Sequence, residues 1–243
     1  MLPETSEAAT AGSLVPAEET GGPTAEDNIR SEDPIMVLVL LGVCLYALKL
    51  WWDDLQAYRK GKPNEKAFPG ATPCGRGALV LAVVGSLILL GLETVGEYAL
   101  GISDEQSKIT WLFLISMITA AFVEELVFRG FLVVTGKGTA AVISVIVGFS
   151  LLFAILHPHL WSVETPEGVA GWQFWAADWS LHFTTKAWFS TTALFVGSLW
   201  FYICRFNPLN PLHSLFPCIA AHLVKNIGVF VIKLAQGHVV GLY

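Results

Sequence analysis

The chain has 243 residues, 54% of them hydrophobic and only 14% charged, with a mean hydropathy of +0.60. Water-soluble domains carry about a quarter charged residues, so an ordinary soluble globule is excluded. The net charge of −6 is local: residues 1–34 hold eight acids and one base, Arg30, whereas the rest of the chain holds twelve acids and thirteen bases. That balance offers no basic surface for nucleic acid. Cys44, Cys74, Cys204 and Cys218 form no CxxC pair, which argues against a disulfide framework or a thiolate metal site. The composition is that of a membrane protein.

Residues 1–33 are rich in Glu, Ala, Thr, Ser, Pro and Gly and contain no aromatic residue. Such a stretch buries too little apolar surface to offset its ordering entropy, and a disordered acidic tail is expected. It lacks the basic start and apolar stretch of a signal peptide. After Pro34 long apolar runs alternate with short polar breaks. Six runs read as spans: Ile35–Trp52, Ala78–Leu92, Ile109–Val134, Ala140–Leu156, Ala187–Cys204 and Leu215–Leu234. Most reach the roughly 17–25 residues that cross a bilayer core as a helix. The second is short, interrupted beyond Leu92 by Glu93 and Glu97, an acid pair that reads as solvated.

Lipid offers no partner for backbone groups, and the alternation of a barrel strand is missing. The expected fold is therefore all-α: a polytopic helical membrane bundle of about six transmembrane helices, eight at most. Trp51, Trp52, Trp111, Trp161, Trp188 and Trp200 fall near span ends, as an interfacial belt requires. Arg59, Lys60, Lys62, Lys66 and Arg76 make the loop between the first two spans the most basic, which places it in the cytoplasm and the N-terminus outside. By the same parity residues 157–186 lie outside, and their tryptophans (Trp172, Trp175, Trp179) suggest an interfacial helix.

Charges inside a span cost at least roughly 2.5–3.5 kcal/mol each on insertion scales, so each needs a reason. The third span contains Glu124-Glu125 and Arg129. Glu125 and Arg129 are four apart with the acid first, the favourable order for a helical ion pair. Glu124 is rotated by about 100° from its neighbour, so one arginine cannot serve both acids equally. One carboxylate is then neutralised, and the other is left in a low-dielectric site suited to a general base. The fourth span runs from Phe153 into His157, and the sixth carries His222 and Asn226 one turn apart. Counted at about 1.5 Å per residue, Glu124, His157 and His222 all fall roughly 10–25 Å below one face of the bilayer. An acid, two histidines and an amide in a dry slab fit peptide hydrolysis by activated water. Glu124 would take the proton, His157 would hold the water, and His222 and Asn226 would serve an oxyanion. The same atoms leave a second use open, a zinc site of Glu124, His157 and His222, although there is no HExxH.

These three elements, in this order, resemble the CPBP family: the type II CAAX prenyl endopeptidases and their bacterial relatives, some linked to bacteriocin processing or immunity. The family's EExxxR, FxxxH and HxxxN-type motifs stand here as Glu124-Glu125…Arg129, Phe153…His157 and His222…Asn226. The resemblance implies a catalytic membrane core over about residues 109–234. Accessory helices and their basic loop precede it at 34–108, and a short tail follows at 235–243. It implies a glutamate-dependent intramembrane endopeptidase of a type once described as a metalloprotease, needing no cofactor. Glu124 would be the base, His157, His222 and Asn226 its catalytic partners, and Glu125 and Arg129 supporting residues. The expected partners are the bilayer, here the cell membrane, and a hydrophobic or membrane-anchored peptide or protein. A catalytically silent immunity or scaffold protein is the competing reading.

Overall fold

The structure is a computed structural model, and it describes residues 29–30, 33–134, 136–166, 169 and 173–243. The expected acidic tail lies outside the described residues, apart from 29–30 and 33. In chain order the elements are β1 (Ile29–Arg30), α1 (Pro34–Arg59), α2 (Arg76–Ala99), β2 (Lys108–Ile109), α3 (Trp111–Glu124), α4 (Thr139–Leu156), β3 (Trp161–Glu164), β4 (Asp178–Leu181), α5 (Thr185–Phe206) and α6 (Phe216–Ala235). From Glu125 to Phe131 the third helix continues with the wider winding of a π-helix. Among the described residues six helices are long and apolar enough to cross a membrane, with α3 and its π segment counted as one. The helical membrane bundle expected from the sequence is the fold observed.

Helix α2 packs against α6 and α5, α4 against α5, and α3 between α1 and α6. Apolar side chains such as Leu38, Val43, Tyr46, Ile88, Leu92 and Leu151 point outward, as helices solvated by lipid require. Asp33 starts α1 by accepting from the Ile35 and Met36 amides, with Pro34 at the position where a missing N–H costs nothing. No side chain caps α3. Its first free amides are taken by the C-terminal tail instead: Trp111 and Leu112 donate to the carbonyls of Gly241 and Leu242.

Two tryptophans assigned to the interfacial belt are packing residues. Trp51 is fully buried, its ring edge-on to Phe216 at 4.9 Å and to Phe122 at 6.3 Å, and its indole N–H donates to the Pro69 carbonyl. It locks α1 onto α3 and α6. Trp200 lies over Gly85 of α2, where any side chain would collide with the indole, and donates to Ala82. Trp52, Trp111 and Trp188 do stay exposed, the last two in the first turns of α3 and α5. Among the described residues after His157 and before α5 there is no interfacial α-helix. The segment carries an antiparallel pair of strands, β3 and β4, with Trp161 opposite Leu181 and Glu164 opposite Asp178. Trp175, Trp179 and Leu181 are exposed on it, and Trp172 lies outside the described residues.

Removing the Trp51 ring leaves a cavity between three helices. Trp51→Ala should cost about 3–5 kcal/mol, read as a lower midpoint of thermal unfolding in detergent. Trp52→Ala, on the exposed face one residue on, should leave that midpoint nearly unchanged.

Candidate active site

The site is built where α3 changes its winding. π segments recur at functional positions because they re-aim side chains that an α-helix would carry past one another. Glu124 is the last α-helical residue and Glu125 the first of the wider turn. Their environments differ accordingly. Glu125 is completely buried, whereas 28% of the Glu124 side chain is accessible.

Arg129 lies one turn on and is also fully buried. Its Nη1 donates to Glu125 Oε1 at 3.0 Å, and its Nη2 donates to both the carbonyl and the hydroxyl of Ser198 on α5. Four rings surround the guanidinium, those of Phe153, Tyr202, Phe201 and Phe128, at 4.7–5.7 Å. Such a cation–π cage replaces part of the hydration that burial removes. Tyr202 also donates to the carbonyl of Phe128, which fixes the π segment against α5.

His222 of α6 completes the cluster. Its Nδ1 lies 2.9 Å from Glu125 Oε1, and its ring stacks on Phe201 at 4.7 Å. A carboxylate at that distance fixes the proton on Nδ1 and turns Nε2 toward Glu124, whose Oε2 is 3.8 Å away. Glu124 Oε2 is buried and has no hydrogen-bond partner. Of the two acids, the one held by arginine and histidine is Glu125. Glu124 faces the site.

The structure brings Glu124, Glu125, Arg129 and His222 together, and sets His157 and Asn226 at its edges. His157 follows the last residue of α4, and its Nδ1 donates to the Phe153 carbonyl at 2.8 Å, which leaves Nε2 as the acceptor in the neutral ring. The Phe153 ring touches both histidines, at 4.7 Å from His157 and 6.1 Å from His222. Asn226 is one turn beyond His222, and its amide donates to the Met117 carbonyl of α3 at 2.8 Å. Among the described residues no three His, Cys, Asp or Glu side chains converge as a metal site.

Several contributors carried no recognisable signal. Ser198 is one small polar residue in an apolar helix, and Phe201 and Tyr202 read as ordinary core. Glu93 and Glu97 are not solvated: Glu93 pairs with Lys225 of α6 at 3.1 Å, and Glu97 pairs with Lys186 of α5 while accepting from Gln106. A hint was present, since an acid and a lysine inside apolar spans need partners.

A family model matches residues 106–228, described as type II CAAX prenyl endopeptidase Rce1-like. The match spans half the chain and contains every residue of the buried cluster. The chain belongs to the Rce1-like family. No curated protein and no solved structure matches it. At family level it is thus a CAAX-type intramembrane protease, and its six apolar helices make it a multi-pass membrane protein. Helices α1 and α2 lie outside the matched region of this Rce1-like chain.

Arg129 is what makes the buried Glu125 tolerable. Arg129→Ala leaves that carboxylate without its cation and should cost about 3–5 kcal/mol, measured by thermal unfolding in detergent. An unchanged midpoint would mean that His222 alone neutralises Glu125.

Proposed function

We propose that this protein is a glutamate-dependent intramembrane endopeptidase, acting on a hydrophobic or membrane-anchored peptide or protein in the cell membrane. The observation that carries the reading is the inequality of the two acids. Each acid keeps one buried oxygen without a hydrogen bond. Glu125 spends its Oε1 on both Arg129 and His222, whereas the Glu124 side chain is 28% accessible and stands 3.8 Å from His222 Nε2.

Glu124 takes a proton from a water molecule as the water oxygen attacks the scissile carbonyl. The C–N bond then breaks, and the proton passes from Glu124 to the leaving amine. Glu125 holds His222 as the buried aspartate of a serine-protease triad holds its histidine, fixing tautomer and direction. With its Nδ1–H given to Glu125, His222 donates from Nε2 to the oxyanion of the tetrahedral intermediate only as the doubly protonated imidazolium. Asn226 spends one amide hydrogen on Met117 and has a second for the same oxyanion. His157, with Nδ1 tied to Phe153, offers Nε2 as an acceptor for the attacking water. No step in this scheme passes through a metal ion. The basic loop at 59–76 favours a cytoplasmic position for that end of the bundle, with the N-terminus outside.

The test compares purified protein with Glu124→Gln, each incubated with a membrane proteome in detergent, with and without EDTA. New peptide termini should vanish in the variant and persist in EDTA. Termini equally abundant in both proteins would remove Glu124 from the chemistry. Loss in EDTA with recovery on adding zinc would overturn the metal-free scheme. On a substrate identified this way, His222→Ala should lower kcat by about 10²–10³-fold with a much smaller change in KM. A pure KM effect would move His222 from the oxyanion to substrate binding.

A further inference from the structure

The Glu93–Lys225 pair lies outside the three motifs, yet Lys225 adjoins Asn226 and is one turn from His222. Its Nζ is 3.1 Å from Glu93 Oε2, with only 9% of the lysine side chain and 23% of the glutamate side chain accessible. To reach α2 from α6 the lysine crosses α5 at Gly197. A Cβ there would stand 3.1 Å from Nζ, tighter than an ordinary contact. Gly197 in turn precedes Ser198, which holds Arg129.

Burying two charges is a poor way to gain stability, because well-packed apolar residues at such positions are often as stable or more so. The best-attested use of a buried polar pair is to specify register. Here the register is the rotation of α6 about its own axis. On that helix Lys225 lies about 60° to one side of His222, and Asn226 about 40° to the other. Asn226 is tied to α3 and Lys225 to α2, so the imidazole is aimed from both sides. A rotation of about 20° moves a side chain at the helix surface, roughly 5–6 Å from the axis, by about 2 Å. Catalytic groups need placement within about 0.5 Å.

We infer that Glu93 and Lys225 are positioning residues that set the rotation of α6, and with it the direction of His222 toward Glu124. The inference rests on the proposed protease chemistry for its kinetic consequence, though not for its geometry. Glu97–Lys186, one turn further along α2, is the internal comparison. It is also partly buried, and it joins α2 to α5 rather than to α6.

The experiment uses the full chain in detergent micelles, labelled with 15N-histidine, with the His222 ring resonance assigned by its loss in His222→Ala. The variants are Glu93→Gln, the double substitution Glu93→Met/Lys225→Met, and Glu97→Gln. The double variant removes both charges without leaving one unpaired, so it should fold. The positioning role expects the His222 ring signal to shift in both Glu93 variants and stay in place in Glu97→Gln. Glu124-dependent cleavage should fall about 10–100-fold in kcat, with KM within about twofold. A double variant with the wild-type ring signal and wild-type kcat overturns the inference, since a purely structural pair would behave that way. A shifted signal in a protein whose wild type cleaves nothing would retain the positioning role and remove the protease reading.

Discussion

One acid, Glu125, is placed where an acid cannot stand alone. It is fully buried in a segment that crosses the bilayer, and the surrounding structure is arranged to make that possible. Arg129 supplies the charge from the next turn, but an arginine in the same place carries its own desolvation cost. Ser198 and four aromatic rings meet that second demand from α4, α5 and the π segment itself. His222 brings α6 into the same cluster. Three or more helices are thereby fixed in rotation around a single carboxylate.

That arrangement separates two chemically identical neighbours. The rotation of about 100° between helical neighbours turns Glu125 into the helix interface and leaves Glu124 partly accessible, at the point where the helix passes from α to π winding. Because Glu125 absorbs the arginine, Glu124 is free of a strong cation. Its environment is set by His222, which is itself set by Glu125. The imidazole of His222 stands between the two acids.

Much of the bundle and the centre of the site could be read from the residues alone. Six apolar runs specified six helices, because in lipid only the helix satisfies every backbone group within the segment. The Glu125–Arg129 pair followed from four-residue spacing, and the placing of Glu124 apart from it followed from helical rotation. Other features depended on partners far away in the chain. Trp51 stands at the end of an apolar run like any belt residue, and only the approach of Phe122, Phe216 and Pro69 makes it core. Glu93 and Glu97 looked solvated until Lys225 and Lys186 arrived from two other helices. The aromatic segment after His157 carried no periodicity that separates a surface helix from a hairpin.

Local spacing thus determined which side chains share a helix face, how many helices cross, and which residues are too costly to bury without cause. These are properties of one segment and its solvent. Tertiary structure decided which side chains from other helices complete the Glu125–Arg129 pair, which carbonyl takes the Asn226 amide, and where the buried lysine finds its acid. Each of those outcomes depends on the rotation of one helix against another, and that rotation is set by packing across interfaces no single segment contains.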